Sequence, residues 1–415
     1  MAFFRSLIEK REFSLSRWTK WLDTLEAGGD TATGISVSDE TALTLSVVRS
    51  CVLVKAQDVA KVPLPIYRRL GRNGEDGREE ARDYPLWRIF RVQANPYMTA
   101  FQFRQTQQKH LNVTGNAYAL IDRDEQGNVT ALWPRHPRRM AAEEQDGRLV
   151  WVYTPCQGPR KVYEEWEVFH LGGLSDDGIV GMSPVEQYRE GIALGLAYQQ
   201  HAAYSFKNSV RPSLLAKTPA NSEKAKELGE ALAQQYAGLS KSGGILVGYG
   251  GMEFVPWGFS NKDAEFILSR NFSVTDACRV WRMPPHKVMD YSQAAYANIT
   301  AAELGYVNDT LRPEQENWEQ EIARQLMTEE DREVYYAEHN NFDLLKGTPV
   351  ERAQVETLYV RGGVSKINEV RKSHNWAPVP GGDQCRTQMQ MVPLTGNPPD
   401  KKTDAQQEGA KNGEG

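Results

Sequence analysis

The sequence predicts an α+β protein of several domains, and three observations predict it. Over residues 1 to about 170, short apolar runs bounded by glycine and asparagine turns alternate with helical stretches. Two long amphipathic stretches, 183–210 and 261–282, flank a compact mixed segment at 212–260. A third long stretch, from residue 300, keeps a helical apolar stripe across an internal proline, Pro313. A length of 415 residues suits two to four domains.

The first helix is legible in "TLSVVRSCVLVKAQDVAK", where Leu45, Val48, Val52, Ala56 and Val59 recur at three and four. Pro63 and Pro65 end it, "LPIYRR" reads as a strand, and "GRNGEDGREEARDYP" as a polar turn. "NPYMTAFQFRQTQQKHLNVTG" reads as a second helix, with Thr99 and Gln102 spaced as a capping box. "GNAYALIDRDEQGNVTALWP" is a hairpin around "DEQGN", and "LVWVYTPCQGPRKVYEEWEVFHL" a second strand pair. Ser183, Pro184 and Glu186 then form the start signal of one long helix reaching Arg211-Pro212. Within 212–260, "SLLAK" is a strand, "NSEKAKELGEALAQQYAGL" a helix, and "GGILVGYGGMEFVPW" two strands with a glycine turn. The helix 261–282 ends at Pro284, and "MPPHKVMDYSQAAYAN" is a loop. From Thr300, a box with Glu303, the stripe Leu304, Val307, Leu311, Trp318, Ile322 and Leu326 runs on, kinked at Pro313. Helical segments cover 350–376, and "TGNPPDKKTDAQQEGAKNGEG" is a polar tail expected to be disordered.

Composition narrows the function. The chain is 40% hydrophobic, 25% charged and carries a formal charge of −5. A protein that grips nucleic acid through many phosphate contacts is usually basic, so any DNA contact here is loose or local. Cys51, Cys156, Cys278 and Cys385 lie far apart, which signals neither a zinc site nor a disulfide framework. The start, "MAFFRSLIEKREFSLSRWTKWLDTLEAGGD", lacks the apolar core of a signal peptide, and no apolar run reaches the ~18 residues of a spanning helix. Its aromatic and basic residues fit a peripheral helix packed on protein, with a membrane-surface helix as the alternative.

The search for chemistry returns no catalytic, cofactor-binding or metal-ligating set. "HLGGLSDDGIVGMSPVEQYREGI" has the glycine spacing of a phosphate loop between Gly173 and Gly178, yet Ile179 and Val180 stand where lysine and serine are needed. Asp176 and Asp177 also put negative charge where phosphate would sit. These glycines therefore read as a turn before a capped helix. "GGILVGYGG" reads as a hairpin, and His170 as a hydrogen-bonded structural residue. Small residues at Gly191, Gly195, Ala197, Ala202 and Ala203 suit close helix packing, so that many copies side by side would make a barrel of helices.

Six separated stretches together carry a resemblance. They are "TALTLSVVRSCVLVKAQDVAKVPLPIYRR", "ANPYMTAFQFRQTQQKHLNVTGNAYALIDRDEQGNVTALWP", "GLSDDGIVGMSPVEQYREGIALGLA", "FKNSVRPSLLAKTP", "SNKDAEFILSRNFSVTDACRVWRMPPHKVMD" and "GGVSKINEVRKSHNWAPVPGGD". In this order they resemble the portal proteins of tailed bacteriophages, in the HK97-like branch, over residues 35 to 395. The resemblance implies a dodecameric ring at one capsid vertex, through which double-stranded DNA is packaged and ejected. It implies a wing at 35–182, stem helices at 183–211 and 261–282, and a clip at 212–260. It further implies a tunnel loop at 283–299, a kinked helix returning to the wing at 300–345 and a crown at 346–395. Residues 1–34, whose role stays open, and the tail 396–415 lie outside it. Implied partners are further copies of the chain, the major capsid protein, the terminase large subunit, a head-tail connector and the DNA; no cofactor is implied and ATP hydrolysis belongs to the terminase.

On these residues the implied roles are as follows. Asp290, Tyr291, Ser292, Gln293, Tyr296 and Asn298 would brush DNA in the channel. Lys207, Arg211, Arg270, Arg279, Arg282 and Lys287 would face phosphates or pair with acids of a neighbouring subunit, the pairing being favoured. Gly178, Gly181, Ser183 and Pro184 would form the wing–stem joint, and Pro313 the kink. The competing reading is a membrane-associated or DNA-processing assembly factor of a phage.

Overall fold

The computed structural model describes residues 31–71, 77–207, 213–217, 253–257, 274–291, 299–341, 349–374 and 376–385. The chain divides into two units, Met1–Asn341 and Phe342–Gly415. Helix α1 (Asp39–Ala42) starts behind Ser38, whose hydroxyl accepts the Thr41 amide. Helix α2 (Ser46–Lys61) buries Val48, Val52, Ala56 and Val59, the positions its periodicity predicts. It stops at Val62 because a residue before proline is pushed out of the helical region. Strand β1 (Ile66–Arg69) follows, paired with β2 (Arg78–Glu80). Part of the stretch that reads as a turn is thus a strand, and it leads into a short helix, α3 (Pro85–Arg91), with proline in its first turn.

A small hairpin, β3 (Gln93–Asn95) and β4 (Met98–Thr99), delivers the chain to α4 (Ala100–Thr114). The capping box at Thr99 and Gln102 is present in both directions. This helix buries an unusual number of polar side chains. Arg104 explains one of them: its guanidinium donates to the carbonyls of Ala60 at 2.6 Å and Val62 at 2.7 Å. It therefore places positive charge on the C-terminal carbonyls of α2, where the helix dipole favours it. Burial pushes the Arg104 pKa down to about 10, with the nearby Arg91 adding to the effect.

Two antiparallel sheets complete the core of this unit. Strands β5 (Asn116–Arg123) and β6 (Val129–Arg135) form the expected hairpin, and β10 (Val168–Gly172) adds to β5 on the other side. Strands β7 (Met140–Gln145), β8 (Arg148–Tyr153) and β9 (Lys161–Glu164) form the second sheet. Tyr118, Met140, Trp151 and Val168 pack between the two sheets. The expectation of one strand pair over 149–171 is corrected here. Val168 to Leu171 are all buried, as fits a strand covered on both faces, and they leave β9 to join β5.

The helix expected from Ser183 to 210 is interrupted. Helix α5 (Pro184–Gln187) ends at Tyr188 and α6 (Arg189–Lys207) begins beside it. The Tyr188 ring occupies the space a Cβ at Gly191 would need, 2.2 Å away, so that glycine serves the tyrosine within its own helix. Strands β11 (Ser213–Lys217) and β12 (Glu253–Trp257) pair antiparallel; the expected helix 221–239 and glycine hairpin 243–251 lie outside the described residues. Helix α7 spans 274–280.

The third long helix is continuous but not uniform. Helix α8 (Ile299–Tyr306) passes through a π segment, Val307–Leu311, into α9 (Arg312–Leu326). Pro313 sits in the first turn of α9, two residues past the end of the π segment. The extra residue of the π segment rotates α8 against α9. Val307, Leu311, Trp318, Ile322 and Leu326 are buried as the stripe predicts, while Leu304 is turned out and 52% exposed. Helix α10 (Glu329–Val334) leads to β13 (Tyr335–Ala337), which pairs with β1 on the side away from β2. Trp318 is fully buried, its ring edge-on to Phe103, and its Nε1 donates to Gln108 Oε1 at 2.8 Å. The second unit holds α11 (Pro349–Arg361) and α12 (Ile367–Ser373), and Asn368 binds both the amide and the carbonyl of Val379.

Trp318 is the main tie between the returning helix and α4. Trp318→Ala is expected to cost ~3–5 kcal/mol of unfolding free energy. Trp318→Phe, which keeps the ring and strands the Gln108 carbonyl, costs ~1–3 kcal/mol. Urea denaturation followed by circular dichroism checks both; a Trp318→Phe variant as stable as the unaltered chain would show that the hydrogen bond contributes nothing.

Candidate functional site

The chain crosses itself at Gly115 and Gly181. Helix α4 ends with Gly115 in the left-handed region at φ 72, its amide bonded to the Leu111 carbonyl. The Gly115 carbonyl accepts the Gly173 amide at 2.8 Å. A Cβ on Gly181 would lie 2.0 Å from that same oxygen, and a Cβ on Gly115 would lie 2.1 Å from the Met182 oxygen. The two backbones meet where no methyl group fits.

Asn116 locks this crossing. Its Nδ2 donates to the Gly181 carbonyl at 2.6 Å, and its Oδ1 accepts the Gly181 amide at 2.8 Å. The same Oδ1 lies 3.0 Å from His170 Nε2. An oxygen accepts only, so the histidine carries its proton on Nε2. His170 is buried at 6% exposure and stacked on Tyr118 with centroids 4.7 Å apart. Burial pushes its pKa down to about 3, with the Arg324 charge acting in the same direction. It is a neutral structural histidine.

Between the crossing points the glycine loop closes on itself. Asp177 Oδ1 accepts the amides of Ile179 at 2.7 Å and Val180 at 3.0 Å, together with the Ser175 hydroxyl. The Gly178 amide goes to Ser175 Oγ at 3.0 Å, with Gly178 at φ 77. Amides that a phosphate would need are already held by a carboxylate of the chain itself. The loop is a self-closed turn, and Ser183 continues it: its Oγ donates to the Val113 carbonyl at 2.9 Å and accepts the Glu186 amide at 3.3 Å. Pro184 follows as the first helical residue. Glu186 does not return its carboxylate to the cap. It accepts Arg138 Nη1 at 2.7 Å, while Asp39 takes Arg138 Nε and Nη2 at 2.7 and 2.6 Å. One guanidinium thus binds α1, the sheet connection and α5 together.

A second cluster lies at the far end of α7. Arg282 is left-handed at φ 51 and ends the helix in a position usually taken by glycine. Its carbonyl accepts Thr310 Oγ1 from the π segment at 2.7 Å, and Trp281 Nε1 donates to the Asn112 carbonyl at 2.9 Å. Met289 is also left-handed, at φ 65. Glu303 on α8 receives Lys287 Nζ at 2.6 Å and His286 Nε2 at 3.1 Å. Partial burial pushes the Glu303 carboxyl up, but the hydrogen-bonded Lys287 and His286 outweigh it and hold it below the usual range. The first half of the loop is therefore tied to the helix that follows it. Asp276 pairs with Arg279 at 3.3 Å and accepts the Tyr188 hydroxyl at 2.8 Å, which links α7 to the start of α6.

Neither cluster has the form of a reaction centre. Among the described residues no group of three His, Cys, Asp or Glu side chains is placed to hold a metal ion, and no helix is long and apolar enough to cross a membrane. Against known proteins, a family model described as "Phage portal protein" matches residues 46–375. This chain belongs to the phage portal protein family. The portal protein of Enterobacteria phage HK97 is 30% identical over 365 residues, 87% of this chain and 85% of that protein. The probable portal protein of Streptomyces phage phiC31 is 26% identical, over 86% of this chain and 79% of its own length. An HK97-family phage portal protein from Corynebacterium diphtheriae superposes with a TM-score of 0.55 at 17% identity, covering 74% of this chain and 96% of its own. A chain from the neck of a native gene transfer agent particle, computed with C12 symmetry, gives 0.52 at 18% identity, covering 82% and 92%.

Gly181 is bonded to Asn116 and Ser183 to the Val113 carbonyl, Gly178 lies in the turn held by Ser175, and Pro184 opens α5. Of the basic residues, Arg279 and Lys287 hold carboxylates of their own chain. Lys207 is the last residue of α6. Arg211, Arg270, Ser292, Gln293, Tyr296 and Asn298 lie outside the described residues. Of the expected channel residues, Asp290 donates its amide to the Pro285 carbonyl at 3.0 Å, and Tyr291 is exposed. The sequence reading missed Asn116 and Arg138 and gave Glu303 only as the capping partner of Thr300; the only signal for Asn116 was a glycine-asparagine pair before an apolar strand.

Two outcomes follow from the joint. Gly181→Ala is expected to destabilise the protein by about 3 kcal/mol, since backbone rather than a flexible side chain must yield; a thermal melt within a degree of the unaltered chain would contradict the crossing. For His170, the unfolded imidazole titrates near about 6.5 and the buried one far lower, so the unfolded state takes up the proton first as pH falls. Stability is full above that value and drains as pH drops toward about 3. His170→Gln should lose less stability than the unaltered chain between pH 7 and pH 5, read by denaturant midpoints at the two pH values.

Proposed function

We propose that the chain is the structural subunit of a phage portal, a ring at one capsid vertex through which double-stranded DNA enters and leaves. The observation that carries this is the family match across residues 46–375, supported by superposition on a subunit of a C12 neck. In this reading the sheets around Tyr118 and Trp151 are the wing, α5 to α7 the stem and β11–β12 part of the clip. The loop 283–299 lines the channel, and the unit from residue 342 is the crown. The chain performs no chemistry; ATP hydrolysis belongs to the terminase, which docks on the clip before the head-tail connector does, and the major capsid protein surrounds the wing.

The physics of a conduit suits these residues. DNA that slides by the thousand base pairs must not be trapped by a salt-dependent grip on phosphates. The net charge of −5 opposes such a grip. At the base of the loop, Arg279 and Lys287 are neutralised by Asp276 and Glu303. What the described part of the loop presents is Met289 and Tyr291, 77% and 56% exposed. The tie of Lys287 and His286 to Glu303 would hold that loop against the drag of moving DNA.

Purified protein examined by negative-stain electron microscopy, with native mass on the same sample, is expected to show rings with a central hole and a mass near twelve chains. A monomer under every assembly condition, including coexpression with capsid protein, would count against the ring.

A further inference from the structure

We propose that the ring closes through a head-to-tail contact between two patches, one bordering β6 and one on the β7-β8-β9 sheet and the turn before β10, the partner being a second copy of this chain. The inference rests on the ring reading above and names surfaces for it. One patch lies beyond β6. Asn95 binds the Leu132 carbonyl of that strand at 2.8 Å, and the Tyr97 ring lies 6.0 Å from Trp133. There Tyr97 is 84% exposed, with Val92 and Phe101 also exposed beside it. Arg88 and Arg91, exposed in the last turn of α3, flank them and form no ion pair among the described residues.

The other patch lies on the β10 side. Gln325 of α9 binds both the amide and the carbonyl of His170, which marks β10 as the outer strand there. The turn just before β10 carries Trp166, 62% exposed, and β9 is the outer strand of the second sheet, with Val162 exposed on it. Glu143 and Glu164 face each other across Val150 in register, and neither forms an ion pair among the described residues. Glu165 and Glu167 stand next to them, with Glu165 spending itself on Arg324. Lys161 at the strand end and Arg148 at the hairpin do not offset this acidic excess.

Three features make the two patches fit each other. Each has an exposed aromatic at its centre, as protein interfaces do and monomer surfaces rarely do. Their charges are opposite, arginine on one and glutamate on the other. They are different surfaces, one bordering β6 and the other on the β7-β8-β9 sheet and the turn before β10. Two different, complementary patches associate head to tail and generate a ring when the rotation closes, whereas a self-complementary patch would stop at a dimer.

A mixing experiment tests this. One full-length variant carries Arg88→Glu and Arg91→Glu, the other Glu143→Lys and Glu164→Lys. Each alone presents like charge to like and is expected to remain unassembled, with a thermal melt close to that of the unaltered chain. A one-to-one mixture restores every contact if the variants alternate, and native mass should show rings holding equal numbers of both. Rings from either variant alone, or a mixture that stays unassembled while both melt normally, would overturn the proposed contact and leave the ring reading standing. An unaltered chain that never forms rings overturns both. Should the charge variants melt early, Tyr97→Ser and Trp166→Ser decide: both side chains are exposed, so a normal melt with unweakened rings would also overturn it.

Discussion

Everything in the first unit turns on the close passage of two backbones at Gly115 and Gly181. The passage joins the end of a buried helix to the segment that leads into α5. With no Cβ on either side, the carbonyl of Gly115 sits where a side chain would otherwise be. Asn116 then converts proximity into a fixed geometry, since it satisfies both polar groups of Gly181 and still orients His170. Buried amide and carbonyl groups left unpaired there would each cost about 1–3 kcal/mol. One side chain thus serves three otherwise unsatisfied groups and couples the β10-β5-β6 sheet to the helices that follow it.

The same economy of anchoring recurs where α7 meets the returning helix. Arg282 takes a left-handed conformation that non-glycine residues adopt at a cost. Thr310, Trp281 and Glu303 hold the segment around it. The π segment makes this possible, because its extra residue turns Thr310 toward the Arg282 carbonyl while keeping Trp318 in the core. A helix of uniform pitch could not meet both requirements. The strain is placed at the base of the loop assigned to the channel, where a fixed position matters more than local stability.

Local signals in the sequence were faithful and distant ones were silent. The Thr99–Gln102 box, the "DEQGN" hairpin and the Ser183 cap depend on neighbours within a few residues, and they fold as their chemistry dictates. The glycine loop was correctly read as a turn, since Asp177 occupies its own amides. Most of the departures involve partners far along the chain, Tyr188 and Leu304 being local ones. Glu186 abandons its capping role for Arg138, and Tyr188 breaks its helix over Gly191. Strand β13 is three residues long and pairs with β1, some 270 residues earlier, which no window of periodicity reveals. Leu304 leaves the predicted stripe because a wide turn has no sequence signature comparable to proline. The joint residues were therefore legible as positions but not as a network, since Asn116 and Arg138 act only through what tertiary folding brings to them.

The most direct measurement is a cryo-electron microscopy reconstruction of the assembled full-length chain at side-chain resolution. The account predicts a closed ring in which every copy keeps the Gly115–Gly181 crossing and in which residues 283–291 are turned to the central axis. A ring with that segment on its outer surface, or with residues 181–183 drawn away from the end of α4, would contradict it.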